Sequence, residues 1–240
     1  MTETKKNAKQ PDYLGHRKRL RARFLSNEGQ DMPDYELLEL ILTTAIPRRD
    51  VKPLAKTLIR TFGSFANVIN APQAKLLEIE GIRETTLTIM KAIKAGALRM
   101  SWQNLKSSDE PILNNQDALI DYCRAAMCYQ DVEEFRIIFL DSKLKVIGEE
   151  TQQKGTINQV AIHPREVIKA AIDRQAYAIV MVHNHPSGIV LPSAPDVAIT
   201  KHVEEAAFFV GILLVDHIIV SKNDVFSFRD HGLIIDRNKK

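Results

Sequence analysis

A short, uninterrupted apolar run from Tyr177 to Val182 limits the folds open to this chain more than any other segment. A run of this length without polar alternation is typical of a strand buried inside a sheet. The patterns around it complete the order β-β-α-β-α-β-β. This order predicts an α/β domain in which helices pack on a mixed sheet.

Apolar periodicity and turn residues give the predicted elements of this half. Strands are predicted at 135–140, 145–148, 177–182, 212–220 and 225–228, and helices at 116–127, 164–173 and 196–210. The preceding half has helical periodicity only, and no strand pattern occurs before residue 110. Its helices are predicted at 14–25, 34–45, 64–69, 72–79 and 83–100, with one more that begins at Asp50 as its N-cap.

The chain is therefore predicted to consist of two folded parts. A disordered tail at residues 1–12 precedes an all-α domain at 13–106, a polar linker at 107–114 and a sheet domain at 115–240. Residues 1–106 hold 19 lysines and arginines against 11 acidic residues, whereas residues 107–240 hold 14 against 19. A basic half joined to an acidic half indicates two modules with different partners.

Composition excludes several classes of protein. The apolar content of 45% is ordinary for a soluble globular chain, and no apolar run is long enough to span a membrane. The N-terminal residues lack the apolar core of a secretory signal, so we expect a cytoplasmic protein without a membrane partner. Cys123 and Cys128 have the spacing of neither a zinc knuckle nor a redox pair, and we expect two buried, reduced thiols.

The strongest chemical signal lies where the predicted buried strand ends. His183 follows the strand directly, and His185 comes two residues later. In an extended segment, residues two apart point to the same side, so both imidazoles can reach one ion. A turn then leads to Asp196 in the first turn of the next helix, where the helix dipole favours a carboxylate. Two neutral imidazoles and one carboxylate leave one position of a tetrahedral zinc for water, which indicates a catalytic site.

Each half of this pattern has an ordinary structural explanation. A His-x-His pair by itself is weak evidence for a metal, and a Ser-x-x-Asp sequence at a helix start is usually a cap. The joint sequence of strand, His-x-His-Pro, Pro-Ser-x-x-Asp and helix is far more restrictive. A single-zinc site therefore remains the favoured interpretation.

The segment from His183 to Asp196 resembles the JAMM (JAB/MPN+) metalloprotease motif, which is His-x-His, ten residues, then Asp, with Ser three residues before the Asp. The fuller form His-Asn-His-Pro-Ser-Gly followed by Pro-Ser-x-x-Asp is similar to the RadC family. Further stretches that match that family lie at 139–141, 155–156, 163–166 and 216–220, and in the helical half at 34–39, 45–50 and 62–64.

The resemblance implies a JAB/MPN-like mixed sheet with packed helices, of the kind seen in cytidine deaminases, preceded by a small all-α domain. It implies one Zn²⁺ per chain, bound by His183, His185 and Asp196, and hydrolysis of amide or isopeptide bonds in a protein or peptide. It also implies a glutamate before the first strand that takes the proton of the attacking water. Glu133 and Glu134 both qualify, and Glu133 is the favoured one.

Ser193 has two predicted roles that are mutually compatible. By resemblance to the JAMM motif, its hydroxyl would hydrogen-bond the oxyanion of the tetrahedral intermediate. As the residue before a helix, it would instead serve as an N-cap. Two more polar residues, Asp216 and His217, lie inside an apolar strand and are expected either to support the sheet or to support the metal ligands from behind.

The basic half carries a candidate contact for DNA. The sequence from Leu76 to Arg83, followed by a helix, resembles a helix-hairpin-helix, in which hairpin amides and a helix N-terminus hold a phosphate. Gly81 occupies one glycine position of that motif, but Arg83 replaces the second glycine, so a purely structural hairpin is equally compatible. The basic helix with Arg17, Arg19 and Arg21 is a second candidate surface, and a solvated helix is its structural alternative.

Two functions follow from these observations. The leading hypothesis is a RadC-like zinc metallohydrolase fused to a helical domain that binds DNA. The alternative is an accessory DNA-binding protein of DNA repair, in which the metal is structural or acts on DNA. A scaffold that has lost its activity is a third reading, which the intact ligand set disfavours.

Overall fold

The computed structural model describes residues 12–154 and 162–234 of the chain. The predicted tail up to residue 11 and the matching stretch at 155–156 lie outside the described residues. The chain divides into two compact units, Met1–Ala95 and Gly96–Lys240. This division lies within a helix, upstream of the boundary predicted at residue 106.

The first unit is helical, as its periodicity predicts. Its helices are α1 (Asp12–Asn27), α2 (Asp34–Ala45), α3 (Lys52–Phe62), α4 (Phe65–Asn70) and α5 (Gln73–Leu77), followed by α6 (Glu84–Ser107), which continues into the second unit. No strand occurs among the described residues of this unit. Apolar side chains from these helices share one core, in which Leu38, Leu42, Leu58 and Met90 are fully buried.

The start of α3 differs from the prediction by one residue. Val51, not Asp50, occupies the N-cap position, and it makes no side-chain capping bond. Asp50 still satisfies a helix-start amide, because its Oδ1 accepts from the backbone N–H of Lys52 at 3.0 Å. The carboxylate therefore caps from one position upstream.

The second unit contains a five-stranded mixed sheet, which confirms the predicted α/β class. After the end of α6 come a short 3-10 turn at Ile112–Asn114 and helix α7 (Gln116–Met127). The remaining elements are β1 (Glu134–Leu140), β2 (Val146–Lys154), α8 (Pro164–Asp173), β3 (Ala178–Asn184), α9 (Ala194–Phe209), β4 (Leu213–Val220) and β5 (Val225–Ser227). The strand order is β2-β1-β3-β4-β5, with β3 and β4 parallel and the other neighbours antiparallel.

Helices cover both faces of this sheet. Phe135, Ile137 and Phe139 of β1 face α8 and α9, whereas Ile138 and Leu140 face α7 and the end of α6. Strand β3 lies in the middle, and each of its seven residues is buried. The continuous apolar run that marked this strand in the sequence is thus explained by burial on both faces.

Two features of the sheet could not be read from local periodicity. Strand β3 extends to Asn184 instead of stopping at Val182, because its pairing with β4 continues to Val220. The same pairing contains a register shift, in which Ile179 lies opposite Leu214 but Val180 lies opposite Asp216. Strand β4 therefore has one extra residue at this point. Beyond it, each side chain of β4 faces the side of the sheet opposite to the one that strict alternation would give.

Cys123 and Cys128 are buried and form no disulfide, as expected. Burial raises the pKa of the Cys128 thiol to about 11, so it stays protonated. Among the described helices, none combines the length and apolarity that crossing a membrane would require.

Candidate metal centre

Three side chains predicted as metal ligands lie together at one end of the sheet. His183 is the sixth residue of β3, His185 lies just beyond the strand, and Asp196 is in the first turn of α9. The backbone N–H of His185 donates to the carbonyl of Val220 at 3.1 Å, which keeps the chain extended past the strand end. Both imidazoles consequently project to the same side, as the i and i+2 spacing predicts.

The distances among the three groups fit one small cation. Nε2 of His183 lies 3.0 Å from Nε2 of His185, 3.5 Å from Oδ1 of Asp196, and His185 Nε2 lies 3.7 Å from Asp196 Oδ2. Two ligands of a tetrahedral zinc with bonds of roughly 2.0–2.1 Å are about 3.3 Å apart. The observed separations lie close to that value, so these three residues could hold one metal ion.

A chain of hydrogen bonds fixes the proton on His183. The hydroxyl of Thr200 donates to the carbonyl of Asp196 at 2.6 Å, so its oxygen must accept from Nδ1 of His217, also at 2.6 Å. Neutral His217 then has only Nε2 left as an acceptor, and this atom lies 2.8 Å from Nδ1 of His183. His183 must therefore carry its proton on Nδ1, which leaves the lone pair of Nε2 directed at the other two ligands.

His185 is oriented by its own loop. Its Nδ1 lies 2.6 Å from the carbonyl oxygen of Ile189, and a carbonyl can only accept, so Nδ1 is the protonated nitrogen. Nε2 is again left with a free lone pair. Two lone pairs and a carboxylate thus converge at the same point, an arrangement that a cation stabilises.

Burial keeps the imidazoles of His183 and His217 neutral. Burial lowers the pKa of His183 to about 4, although the nearby Asp196 carboxylate opposes that shift. Burial also holds the pKa of His217 well below its ordinary value, and His183 and His185 add to the effect. Neutral imidazole is the form that binds a metal ion, so burial favours metal ligation at neutral pH.

Asp196 is held in place by the cap of its own helix. Ser193 is the N-cap of α9, with its hydroxyl accepting from the N–H of Asp196 at 3.3 Å, which confirms the capping role predicted for it. In return, Oδ2 of Asp196 accepts from the N–H and the hydroxyl of Ser193 at 2.7 and 2.6 Å. This reciprocal capping box leaves Oδ1 directed at His183.

The two candidate glutamates have different surroundings. Glu134 is buried, and its carboxylate pairs with the guanidinium of Arg136 on the face of the sheet that α7 covers. Glu133 is half-buried and interacts electrostatically with His185 and Asp196. Burial is the largest cause that raises the pKa of Glu133, with the negative charge of Asp196 adding to it and His185 opposing it.

Asn184 was not identified from the sequence, yet it links the ligand strand to the glutamate segment. Its Oδ1 accepts from the N–H of Glu134 at 2.7 Å, and its Nδ2 donates to the carbonyl of Val132 at 3.1 Å. Asn184 thus holds the backbone on both sides of Glu133. In the sequence, its position between two predicted ligands is the one feature that could have pointed to Asn184. Its supporting role is evident only from the hydrogen bond to Glu134, which lies 50 residues away in the chain.

The residues predicted to contact DNA differ in their exposure to solvent. Gly81 lies in the turn before α6 with φ of 97°, and Arg83, two residues later, is exposed. Arg19 and Arg21 are exposed on α1. Arg17 is buried instead, and its guanidinium donates to the backbone carbonyls of the loop after α2, which corrects the expectation that it faces solvent with its neighbours.

Known proteins are similar to this chain over most of its length. The model of a family described as the RadC-like JAB domain matches residues 113–233. A UPF0758 protein from Rhodobacter capsulatus is 45% identical over 215 residues, which cover 90% of this chain and 100% of the relative. The UPF0758 protein SPO0054 from Ruegeria pomeroyi is 42% identical over 225 residues, which cover 93% of this chain and 100% of the relative.

Proposed function

The chain belongs to the RadC-like JAB domain family, and from this premise we propose that it is a zinc-dependent hydrolase that cleaves amide or isopeptide bonds. The observation that carries the proposal is the convergence of His183, His185 and Asp196, with both imidazole Nδ1 atoms already engaged elsewhere. In such an arrangement, the metal-binding atoms already face one common point before a metal ion binds.

The proposed metal ligands are Nε2 of His183, Nε2 of His185 and the carboxylate of Asp196. Zinc bound there would lower the pKa of a coordinated water toward neutrality and polarise the carbonyl of the scissile bond. His217 supports this role from behind His183, because a hydrogen bond to the second ring nitrogen fixes the tautomer and raises the basicity of the ligand.

Glu133 is the proposed general base. Its carboxylate takes one proton from the attacking water, and the same proton then passes to the nitrogen of the leaving amine, so that the products are a carboxylic acid and an amine. A carboxyl group whose pKa is raised performs both transfers better at neutral pH than an ordinary one. Strand alternation supports Glu133 over Glu134, because residues two apart share a face and Phe135 lies opposite His183.

Ser193 is the proposed donor to the oxyanion that forms on the scissile carbonyl. Its hydroxyl proton is directed at Asp196 in the free protein, so donation to an oxyanion requires the hydroxyl to rotate. The backbone N–H of Ser193 would continue to hold Asp196 during that rotation, because it donates to the same carboxylate oxygen.

The alternative function treats the metal as structural. Structural zinc sites are closed by four protein ligands, whereas catalytic sites keep one position open. Among the residues that the structure describes, only the three proposed ligands converge, and Asp196 remains partly accessible, with 19% of its side chain exposed. This openness favours catalysis over a purely structural role.

Metal analysis of the purified protein tests the proposal directly. We expect one zinc per chain in the wild type and loss of that zinc in His183→Ala. His202→Ala is the matched control, because His202 is an exposed histidine on α9 outside the ligand set. Hydrolysis of a peptide and isopeptide library should require the bound zinc and disappear in His183→Ala.

Two outcomes would contradict the proposal. The first is a wild-type protein that binds no zinc stoichiometrically even after incubation with the metal. The second is a His183→Ala variant with the metal content and hydrolytic activity of the wild type.

A further inference from the structure

Two large apolar side chains are exposed in the loop that joins the proposed metal ligands. Ile189 and Leu191 lie between His185 and Asp196, and 63% and 70% of their respective surfaces are exposed. Single exposed apolar residues are common on protein surfaces, whereas grouped ones often mark a site of interaction. The pair therefore indicates a contact surface next to the proposed zinc.

Val190, which lies between them, sets the direction of both side chains. It is partly buried and packs against the core on the face of the sheet that α8 and α9 cover. Exposure alternates along the loop, with Ile189 and Leu191 exposed and Val190 and Pro192 half-buried. Because alternate residues of an extended segment point to opposite sides, Ile189 and Leu191 share the side that faces away from the core.

Hydrogen bonds tie this loop to the proposed metal site at both ends. The carbonyl oxygen of Ile189 lies 2.6 Å from Nδ1 of His185, so the imidazole ring alone separates this carbonyl from the metal-binding atom Nε2. At the other end, Leu191 lies two residues before Ser193, whose N–H and hydroxyl bond the carboxylate of Asp196. The two apolar side chains are thus carried by backbone whose position is fixed relative to the ligands.

The chemistry of the loop favours an uncharged ligand. Residues 186–195, which connect His185 to Asp196, contain no lysine, arginine, aspartate or glutamate. Glu133 and Asp196 add negative charge beside the loop. A nucleic-acid strand would meet no cation from this loop, although contacts with cations dominate the binding of such strands. An apolar side chain of a peptide fits better, since it removes exposed apolar surface from water.

Building on the proposed hydrolysis, we propose that Ile189 and Leu191 form a subsite for a large apolar side chain next to the scissile bond of a peptide substrate. An aliphatic or aromatic side chain packs on these two residues, and the contact positions the neighbouring amide bond at the three ligands. The two side chains determine specificity and not metal binding, because Ile189 contacts His185 through its backbone carbonyl, which every residue has.

Peptides that differ in one residue test the subsite by hydrolysis. The residue on either side of the scissile bond is leucine, serine or glutamate, and kcat/KM is measured with the zinc-loaded full chain. We expect leucine to be favoured over serine by about tenfold or more, since burial of a leucine side chain stabilises a complex by that order. In Ile189→Ser/Leu191→Ser the ratio should fall close to one, with zinc content unchanged.

Ile172→Ser is the matched control. Ile172 is 54% exposed at the end of α8, and its carbonyl accepts from the N–H of Gln175, just before β3. It therefore lies near the start of β3, the end of that strand remote from His183, and its replacement should leave the preference for leucine unchanged. Leu191→Lys should move the preference from leucine toward glutamate, which a purely structural role of Leu191 would not produce.

Binding without hydrolysis separates this proposal from the proposed function. A hydroxamate group binds zinc directly, so hydroxamates that carry a leucine or a serine side chain on either side of that group test the subsite even when no peptide is cleaved. In calorimetry with the zinc-loaded protein, we expect the leucine compound to bind about tenfold tighter than the serine compound, and equally in Ile189→Ser/Leu191→Ser. This result without any peptide cleavage would leave the subsite standing and the hydrolysis not. Cleavage that is independent of the neighbouring residue would mean the reverse.

Three further results would overturn the proposal. One is equal affinity of the wild type for the leucine and serine hydroxamates, or binding of neither. Another is displacement of the leucine hydroxamate by a short single-stranded DNA but not by peptides, because the site would then accept nucleic acid. The third, measured by sedimentation, is a wild-type dimer that Ile189→Ser/Leu191→Ser converts to a monomer with unchanged preference for leucine, because the two residues would then contact a second copy.

Discussion

Nδ1 of His183 lies 2.8 Å from Nε2 of His217, and the two imidazoles are buried side by side on parallel strands. His217 is bonded in turn to Thr200, which lies one turn after Asp196 on α9. One proposed metal ligand, His183, is therefore connected through two uncharged side chains to the helix that carries another, Asp196. The connection gives the proposed site a defined geometry before any metal binds.

Replacing His217 should weaken zinc binding without unfolding the protein. His217→Phe fits the site, because the ring already stacks on Phe228 and contacts Phe135 edge-on. We expect a loss in zinc affinity of about 10- to 100-fold, the usual cost of losing such a supporting bond. Competition with a chromogenic chelator measures this, and His202→Ala should leave the affinity unchanged. Equal zinc affinity in His217→Phe and wild type would show that the bond has no such role.

The metal-free protein should lose stability as the pH falls below 6.5. Unfolded histidine binds protons below that pH, whereas burial lowers the folded pKa of His183 to about 4 and that of His217 well below 6.5. Because the unfolded chain then binds more protons, the free energy of unfolding decreases with decreasing pH, by up to about 3 kcal/mol for His183 between pH 6.5 and about 4.

Urea unfolding of the metal-free protein at a series of pH values measures this effect. Burial raises the pKa values of Glu133 and Asp216, which therefore act in the opposite direction at acidic pH. Comparison with His217→Phe isolates an imidazole contribution, because the variant should show a shallower loss. A free energy of unfolding that stays constant or rises as the pH falls would contradict the prediction.

The same substitution should have different effects at the two neighbouring glutamates: it should lower hydrolysis at Glu133 and stability at Glu134. Glu133→Gln is expected to lower hydrolysis by about 10²- to 10⁴-fold, the usual contribution of a general base, with zinc content unchanged. Glu134→Gln should instead cost about 3 kcal/mol of stability, because it breaks a buried pair with Arg136. Zinc analysis, peptide hydrolysis and urea unfolding on both variants distinguish them, and an active Glu133→Gln enzyme would exclude Glu133 as the base.

Asn184 is expected to act through the position of Glu133. Asn184→Asp retains an acceptor for the N–H of Glu134 but loses the donor to the carbonyl of Val132. We expect lower hydrolysis at normal zinc content, together with a loss of stability of about 1–3 kcal/mol from an unsatisfied buried carbonyl. If zinc content falls as much as hydrolysis, Asn184 supports the ligands and not the glutamate.

Ser193 variants separate capping from catalysis. Ser193→Ala should cost about 1 kcal/mol of stability through the lost N-cap and should also lower hydrolysis. Ser193→Thr keeps a hydroxyl, so it should recover most of both. Thermal unfolding and hydrolysis measure the two effects. If Ser193→Ala loses stability but hydrolyses peptides at the wild-type rate with zinc saturating, the hydroxyl contributes to the cap alone.

Local sequence was sufficient for much of the fold. The apolar run located β3, and the helical periodicities located most helices to within a few residues, although α6 ends at Ser107 and not at residue 100. Each of these patterns depends only on residues that are close together in the chain. The sequence also brought His183, His185 and Asp196 into one hypothesis, since a strand end, a short turn and a helix start leave few arrangements for them.

Long-range geometry decided the remaining features. His217 faces His183 only because one extra residue in β4 shifts the pairing with β3, and strict alternation would have turned it to the other face of the sheet. Asn184 contacts a segment 50 residues away, and Arg17 is buried by carbonyls of a loop about 30 residues away. The sequence thus determined the elements and the three proposed ligands, whereas tertiary structure determined the residues that hold them, because a period-2 or period-3.6 pattern carries no information about register or distant partners.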